Sequence, residues 1–358
     1  MLGELDSFRE KVEQEIKTIL GTLTPPLFEL DVMNSYHMGF SDREGNPTED
    51  SKGKYLRPLF CIAMCAGLGG DPEQAVPAAA ALELAHRTSL IFDDIQDRGK
   101  ERNNQPTVWA IWGADQAINA GLVLSCYGRM ALHRLTLRNV LVEKVLEIQS
   151  VLENAVIDLC RGQYMDISFV DSFTVGVEDY LWMVRGKTGA LFGAACAVGA
   201  MLASPEQDAM PVPHEISEGK KFRYIRADPT ISSAWEFGLN MGIAFQIHDD
   251  YLGVWGNEAM VGKTANDILE RKRTLPLILG MKKDPDYIRR LFGLEYIGKR
   301  RVKGLTAWME KVGIKEQVEK IEARYIGIAR ANLKALSLRL EWQNQFEEVL
   351  SFLSERKI

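Results

Sequence analysis

Three carboxylates close one of the most apolar stretches of the chain: Leu90-Ile91-Phe92-Asp93-Asp94-Ile95-Gln96-Asp97. Residues 78–92 are small and aliphatic, broken only by Glu83, His86, Arg87 and two hydroxyls, and contain no glycine or proline. That pattern predicts a buried helix over 73–92. On a helix Asp93 and Asp97 share a face, with Asp94 at its flank. Unpaired charge at the end of a buried helix is costly, so a cation is expected there. Oxygen ligands on one rigid face suit a hard ion such as magnesium. That ion takes one or two carboxylates, keeps water, and leaves its other positions to phosphate oxygens. Alone, however, a DDxxD is more often a solvated helix end.

A partner stands about 155 residues later. Residues 237–248 are again apolar and again end in acid, Asp249-Asp250. Two such helices can hold metal between them, as carboxylate sites in helical bundles do. Basic residues recur around them: Lys54 and Arg57 in Gly-Lys-Tyr-Leu-Arg-Pro, then Arg102, then Lys187 before Thr188, then Lys263. Each is more often a solvated surface cation when taken singly. Together, acidic metal clamps and scattered Lys and Arg are the parts needed to grip a diphosphate.

The order of these pieces resembles the trans-isoprenyl diphosphate synthase (polyprenyl synthetase) family. The matching stretches are GKYLRP (53–58), ELAHRTSLIFDDIQDRGKER (83–102), QPTVWAIWG (105–113), GQYMDISF (162–169), RGKTGALFGAAC (185–196), FQIHDDYLGVWG (245–256) and GKTANDILERKRTLP (262–276). The resemblance implies an all-α isoprenoid synthase bundle of about ten or more helices around a central apolar cavity. The whole chain, 1–358, then forms one domain.

It implies a reaction too: magnesium-dependent condensation of isopentenyl diphosphate with an allylic diphosphate. Lys54, Arg57 and His86 match binders of isopentenyl diphosphate. Asp93, Asp94, Asp97, Asp249 and Asp250 match ligands of two or three magnesium ions (Mg2+). Arg102, Lys187 and Lys263 match contacts to the allylic diphosphate, and Lys272 matches a partner of the second carboxylate pair. Thr188 and Gln246 match residues beside the reacting carbon. Diphosphate leaves once its charge is neutralised, the double bond attacks the allylic cation, and a proton is lost to the released diphosphate. No Ser/His/Asp or Cys/His arrangement is evident, and none is needed.

The chain departs from the family pattern in four places. Tyr55 stands for an arginine, Asn103 for the second arginine after the first motif, Asn104 for the following glycine, and Gly253 for the third aspartate of the second motif. These motivate a rival reading as a class I terpene cyclase; retention of Lys54, Arg57 and His86 weighs against it. A non-catalytic subunit of a heteromeric synthase would have little reason to keep both aspartate pairs. Product length is expected to be set one helical turn before Asp93, where short-chain members place an aromatic ring. Here Thr88 and Ser89 are small, so a product beyond fifteen carbons, geranylgeranyl diphosphate, is expected, with Leu124 and Tyr127 as deeper stops.

Composition bounds the remaining classes. The chain has 358 residues, 46% hydrophobic, with a net charge of −6, which argues against nucleic acid as a partner. No linker, repeat or low-complexity segment divides it. The N-terminus is charged and amphipathic rather than signal-like, and no run is read as approaching the ~18 apolar residues of a membrane span. Cys61, Cys65, Cys126, Cys160 and Cys196 read as reduced core residues, and a cytoplasmic setting follows. Further helices are expected at 8–20, 58–67, 114–135, 141–162, 177–202, 231–256, 305–312, 316–337 and 341–354. Irregular segments are expected at 204–220 and 256–266. Surplus apolar surface between 108 and 160, with the resemblance, predicts a homodimer.

Overall fold

A computed structural model describes residues 2–21, 23, 28–48, 53–170, 172–204, 228–256, 268, 272–294 and 296–354. The chain is all-α as expected, with a single two-stranded hairpin among the described residues. It divides into two compact units, one formed by Met1–Glu153 with Ala195–Ile231 and the other by Asn154–Ala194 with Ser232–Ile358. Helices α7 (Val142–Phe169) and α9 (Ala190–Ala203) contribute residues to both.

The first unit holds α1 (Leu2–Leu20), α2 (Glu29–Met38), α3 (Leu56–Gly67) and α4 (Pro72–Gln96). A hairpin follows, β1 (Glu101–Arg102) and β2 (Gln105–Pro106), then α5 (Val108–Trp112) and α6 (Ala114–His133). Helix α4 organises this unit and packs against α1, α3 and α6. Its start is fixed by Pro72 and by the Asp71 side chain, which accepts from the Glu73 N–H at 2.9 Å, a standard N-cap device. Alanines 78–81 are at most 1% exposed, and their small size lets neighbouring helices approach closely.

The second unit holds the rest of α7, α8 (Val177–Val184), a π-helical turn (Arg185–Gly189) and all but the first turn of α10 (Pro229–Trp255). After these come α11 (Leu275–Lys283), α12 (Pro285–Phe292), α13 (Lys299–Lys311), α14 (Ile314–Ala335) and α15 (Leu340–Ser354). Its core gathers Tyr180, Leu239, Ile247 and Tyr251 with Leu277, Ile288, Leu305 and Val318.

Several expectations need correction. Helix α4 runs past the expected end at residue 92 to Gln96, with Asp97 as its C-cap, so the acidic motif forms its last turn as its shared-face spacing required. Helices α11 and α12 were not among the expected helices; Pro276 and Pro285 sit in their first turns, where proline is preorganised for the helix. Cys126 and Cys160 are exposed rather than core, since both face outward on α6 and α7. The run Val177–Ala203 is long and apolar enough to cross a membrane by composition, yet 83% of its most apolar window is buried in the fold. The expected irregular segments fall almost wholly outside the described residues.

Candidate functional site

Helix α4 presents the first acidic motif, and the segment after the helix folds back to meet that motif. Asp97 caps the helix in a right-handed helical conformation, its N–H donating to Asp93 O at 2.8 Å, so the four-residue spacing survives. Arg98 then enters the left-handed region at φ 54°. Thr107 Oγ1 and Trp109 Nε1 both donate to Gly99 O, at 2.8 and 2.7 Å, which locks the connection. The hairpin tip is Asn103-Asn104, with φ of 51° and 60°. Two consecutive positive φ values define a turn that favours Asn or Gly, and this accounts physically for both departures there. Tyr36 donates to Pro106 O at 2.7 Å and pins the second strand.

The hairpin returns Arg102 to the motif. Its Nε donates to Asp94 Oδ1 at 2.9 Å, and its Nη2 lies 2.8 Å from the same oxygen and 3.0 Å from Asp93 Oδ2. Asp93 and Asp94 keep 20% and 7% of their side-chain surface exposed, and Asp97 is exposed. Burial raises the Asp94 pKa, with Arg102 opposing that shift. One turn back, Thr88 and Ser89 are half-buried. The Ser89 hydroxyl folds onto its own helix, donating to His86 O at 2.7 Å.

The basic group lies in the same unit. Lys54 is exposed and Arg57 half-buried, and burial lowers the Arg57 pKa to about 10, with Glu83 opposing. Burial first, then the charges of Arg57, Arg87 and Arg102, hold the His86 pKa well below 6.5. His86 is therefore a neutral imidazole among three guanidinium groups, able to donate one N–H to an anion.

In the second unit the π turn sets the chemistry. Such turns widen a helix by one residue and re-aim its side chains. At Gly162 of α7 an added Cβ would lie 2.2 Å from Lys187 N and 2.7 Å from Met183 O, so glycine alone permits this backbone contact. The contact sets Lys187 beside α7, where its Nζ donates to Asp166 Oδ2 at 2.5 Å. Thr188 Oγ1 donates to Gln246 Oε1 at 2.9 Å, and Gln246 Nε2 donates to Asp250 Oδ1 at 3.0 Å. Asp250, 4% exposed, also accepts from Tyr180 OH at 2.6 Å and from the Leu275 N–H at 3.0 Å. Burial, followed by Asp250, pushes the Tyr180 pKa far up, so the phenol stays a donor. Asp249 is exposed.

The expected site residues thus assemble as two sets, one in each unit. Asp250 departs from expectation: its carboxylate meets protein donors, and the solvent-facing member of its pair is Asp249. Lys272 is exposed, three residues before the Leu275 N–H that meets Asp250. Lys263 lies outside the described residues. Asp166 and Tyr180 were missed, although Asp166 sits inside the GQYMDISF run and the spacing of an acid one turn beyond Gly162 was available. His248, whose Nδ1 lies 2.8 Å from Glu322 Oε1, was also missed; no sequence signal joins residues so far apart.

Among the described residues no three His, Cys, Asp or Glu groups converge as a closed metal cage. The donors that are present fit magnesium all the same. They are oxygen-only carboxylates, and Asp97, Asp249 and part of Asp93 are open to solvent.

The family model for polyprenyl synthetase matches residues 46–303. Over 253 residues the chain is 35% identical to geranylgeranyl diphosphate synthase of Mycobacterium tuberculosis (strain ATCC 25618 / H37Rv), covering 70% of this chain and 65% of that protein. It is 34% identical over 244 residues to (2E,6E)-farnesyl diphosphate synthase of Mycobacterium bovis (strain ATCC BAA-935 / AF2122/97), covering 68% and 61%. Both matches span a little under two thirds of the relative's length. Among solved structures, polyprenyl synthetase from Streptomyces coelicolor A3(2) is similar with a TM-score of 0.83 and 27% identity, covering 97% of this chain and 98% of that one. Both aspartate motifs lie inside the matched span, and the chain belongs to the polyprenyl synthetase family.

Proposed function

We propose that the whole chain, 1–358, acts as one prenyltransferase domain. It condenses isopentenyl diphosphate with an allylic diphosphate to give a longer all-trans prenyl diphosphate. The observation that carries this reading is the grouping of Lys54, Arg57 and His86 with Arg102, Asp93 and Asp94 in one unit: a second, basic diphosphate grip beside the acidic one. A terpene cyclase needs only the acidic one. Lys54 and Arg57 hold isopentenyl diphosphate by charge-assisted hydrogen bonds, and neutral His86 donates a further one. Arg102, Lys187 and Lys263 bind the allylic diphosphate, with Lys272 supporting the second acidic motif.

Asp93, Asp94, Asp97 and Asp249 would hold two or three magnesium ions, which supply neutralisation of the leaving diphosphate. Asp250 orients Gln246 through its amide, and Gln246 with Thr188 turns oxygen dipoles toward the carbon that becomes cationic. Asp166 holds the Lys187 ammonium in place.

Helix α6 exposes Ile118, Leu122 and Met130, and α7 exposes Val142, Leu146, Ile157, Tyr164 and Ile167. Apolar faces of this kind support a homodimer; a monomer in light scattering at working concentration overturns it.

The small side chains of Thr88 and Ser89 support a product of twenty carbons. The mycobacterial relatives carry names for different chain lengths, so product analysis is the decisive test. Incubation with isopentenyl diphosphate and each allylic diphosphate should give geranylgeranyl diphosphate. Cyclic hydrocarbon from an allylic diphosphate alone marks a cyclase, and no turnover marks a non-catalytic subunit. Ser89→Phe should shift the main product toward fifteen carbons, because a ring there must be displaced by the growing chain. An unchanged longest product overturns this floor.

A further inference from the structure

The loop that carries Lys54 is held in an unfavourable backbone conformation by residues outside the expected site. Tyr55 has φ 48°, a left-handed conformation that bulky side chains rarely adopt, and its ring is only 2% exposed. Two guanidinium groups face that ring: Arg9 of α1 at 5.4 Å from the centroid and Arg87 of α4 at 5.9 Å. On the other side of Lys54, a Cβ added at Gly53 would lie 2.2 Å from Arg87 Nη2. Arg87 therefore abuts both neighbours of Lys54.

Arg87 is itself fixed. It is 4% exposed, its Nε donates to Glu83 Oε1 at 2.8 Å, and a ring nitrogen of His37 lies 2.9 Å from its carbonyl oxygen. A carbonyl only accepts, so that nitrogen carries the proton. Burial and the pairing with Glu83 keep the Arg87 fork from serving as an open anion ligand. Strain held by surrounding contacts points to a role at that position.

We propose that Arg87 is a positioning residue for the isopentenyl diphosphate grip: it fixes Gly53 and Tyr55, and through them the direction in which Lys54 and Arg57 meet the diphosphate. This rests on the proposed role of Lys54 and Arg57 in binding isopentenyl diphosphate. Glu83 serves both arginines, hydrogen-bonded to Arg87 and close enough to act electrostatically on Arg57. The chain thereby couples α1, α3 and α4 at a point where Lys54 is exposed and Tyr55 and Arg87 are buried.

The test is steady-state kinetics of the full chain with magnesium, separating the KM of isopentenyl diphosphate from that of the allylic substrate. Arg87→Gln leaves Glu83 buried without its partner, so the charge-neutral pair Glu83→Gln/Arg87→Gln is made beside it and thermal unfolding checks that it folds. In the folded double variant the KM of isopentenyl diphosphate should rise about tenfold, with the allylic KM unmoved. Gly53→Ala should raise the same KM in the wild-type background and add nothing once Arg87 is shortened, because the overlapping Nη2 is then gone. An unchanged KM in the folded double variant, an equal rise for both substrates, or a Gly53→Ala effect that persists without Arg87 overturns the assignment. Failure of the underlying reading is visible separately, as wild-type protein that does not consume isopentenyl diphosphate at all.

Discussion

The two acidic motifs carry the same Asp-Asp pair and are neutralised in opposite ways. In the first, Asp93 and Asp94 are bridged by one arginine eight to nine residues further along, delivered by a tight hairpin. In the second, Asp250 is held by Tyr180, Gln246 and the Leu275 N–H, partners drawn from three separate elements, while Asp249 stays exposed. The first pair therefore works as one cluster of charge with a local counter-ion. The second divides the pair: Asp250 is tied into the fold around it, and Asp249 stays exposed.

The largest expected effects test that division directly. Asp93→Ala and Asp249→Ala should each lower kcat by about a thousandfold, since on the proposed reading each removes a ligand for charge neutralisation of the leaving group. Neither should lower thermal stability. Removal of divalent metal with EDTA should have the same kinetic effect on the unaltered chain, and full activity in EDTA would rule out the metal reading. Asp250→Ala should behave differently. It strands the buried Tyr180 hydroxyl and the Leu275 N–H, at about 1–3 kcal/mol each, and chemical denaturation should show the loss as a shifted midpoint. If Asp249→Ala destabilises and Asp250→Ala does not, the division is reversed.

Much of the first motif was legible in the sequence because its determinants are local. Helix propensity and apolar composition give α4, four-residue spacing gives the shared face of Asp93 and Asp97, and Arg102 lies within ten residues of the carboxylates it meets. The second motif was legible only as a pair. Which of Asp249 and Asp250 is buried depends on Tyr180, seventy residues earlier, and no pattern in the chain couples those positions. The π turn at Arg185–Gly189 was hidden for a related reason. It packs its backbone against Gly162 on another helix, whereas the residues themselves read as plain helix. Pro276 and Pro285 start α11 and α12, neither of which was expected.

A smaller effect separates the basic surroundings of the first motif from the second. His37 and His86 both lie in the first unit with pKa values held down, His37 to about 3, chiefly by burial. The folded chain thus binds fewer protons than the unfolded chain once pH falls below 6.5. Stability should be flat with respect to these groups above that pH and should decline as pH falls from 6.5 toward 3. The slope is at most about 1.4 kcal/mol per pH unit for each histidine. His37→Gln should flatten the decline by up to one such increment in denaturation series run across that window. An unchanged slope would show that His37 titrates normally in the folded chain.

The smallest expected effect on stability concerns the hairpin that serves only the first motif. Asn103 occupies the left-handed region at φ 51° and is exposed. An arginine there would add one charge-assisted hydrogen bond to bound diphosphate, about 1.5–3 kcal/mol. It would also lose the local hydrogen bonding by which a short polar side chain eases that backbone conformation, at about 1 kcal/mol. The backbone term acts on folding and not on binding, so Asn103→Arg should lower the KM of isopentenyl diphosphate by about tenfold or more. The same variant should lose about 1 kcal/mol of stability. Asn103→Gly separates the terms: it adopts positive φ freely and brings no charge, so stability should hold and the KM should stay where it is. If Asn103→Gly changes that KM as much as Asn103→Arg does, the Asn103 side chain itself takes part in binding, and the hairpin does more for the first motif than deliver Arg102.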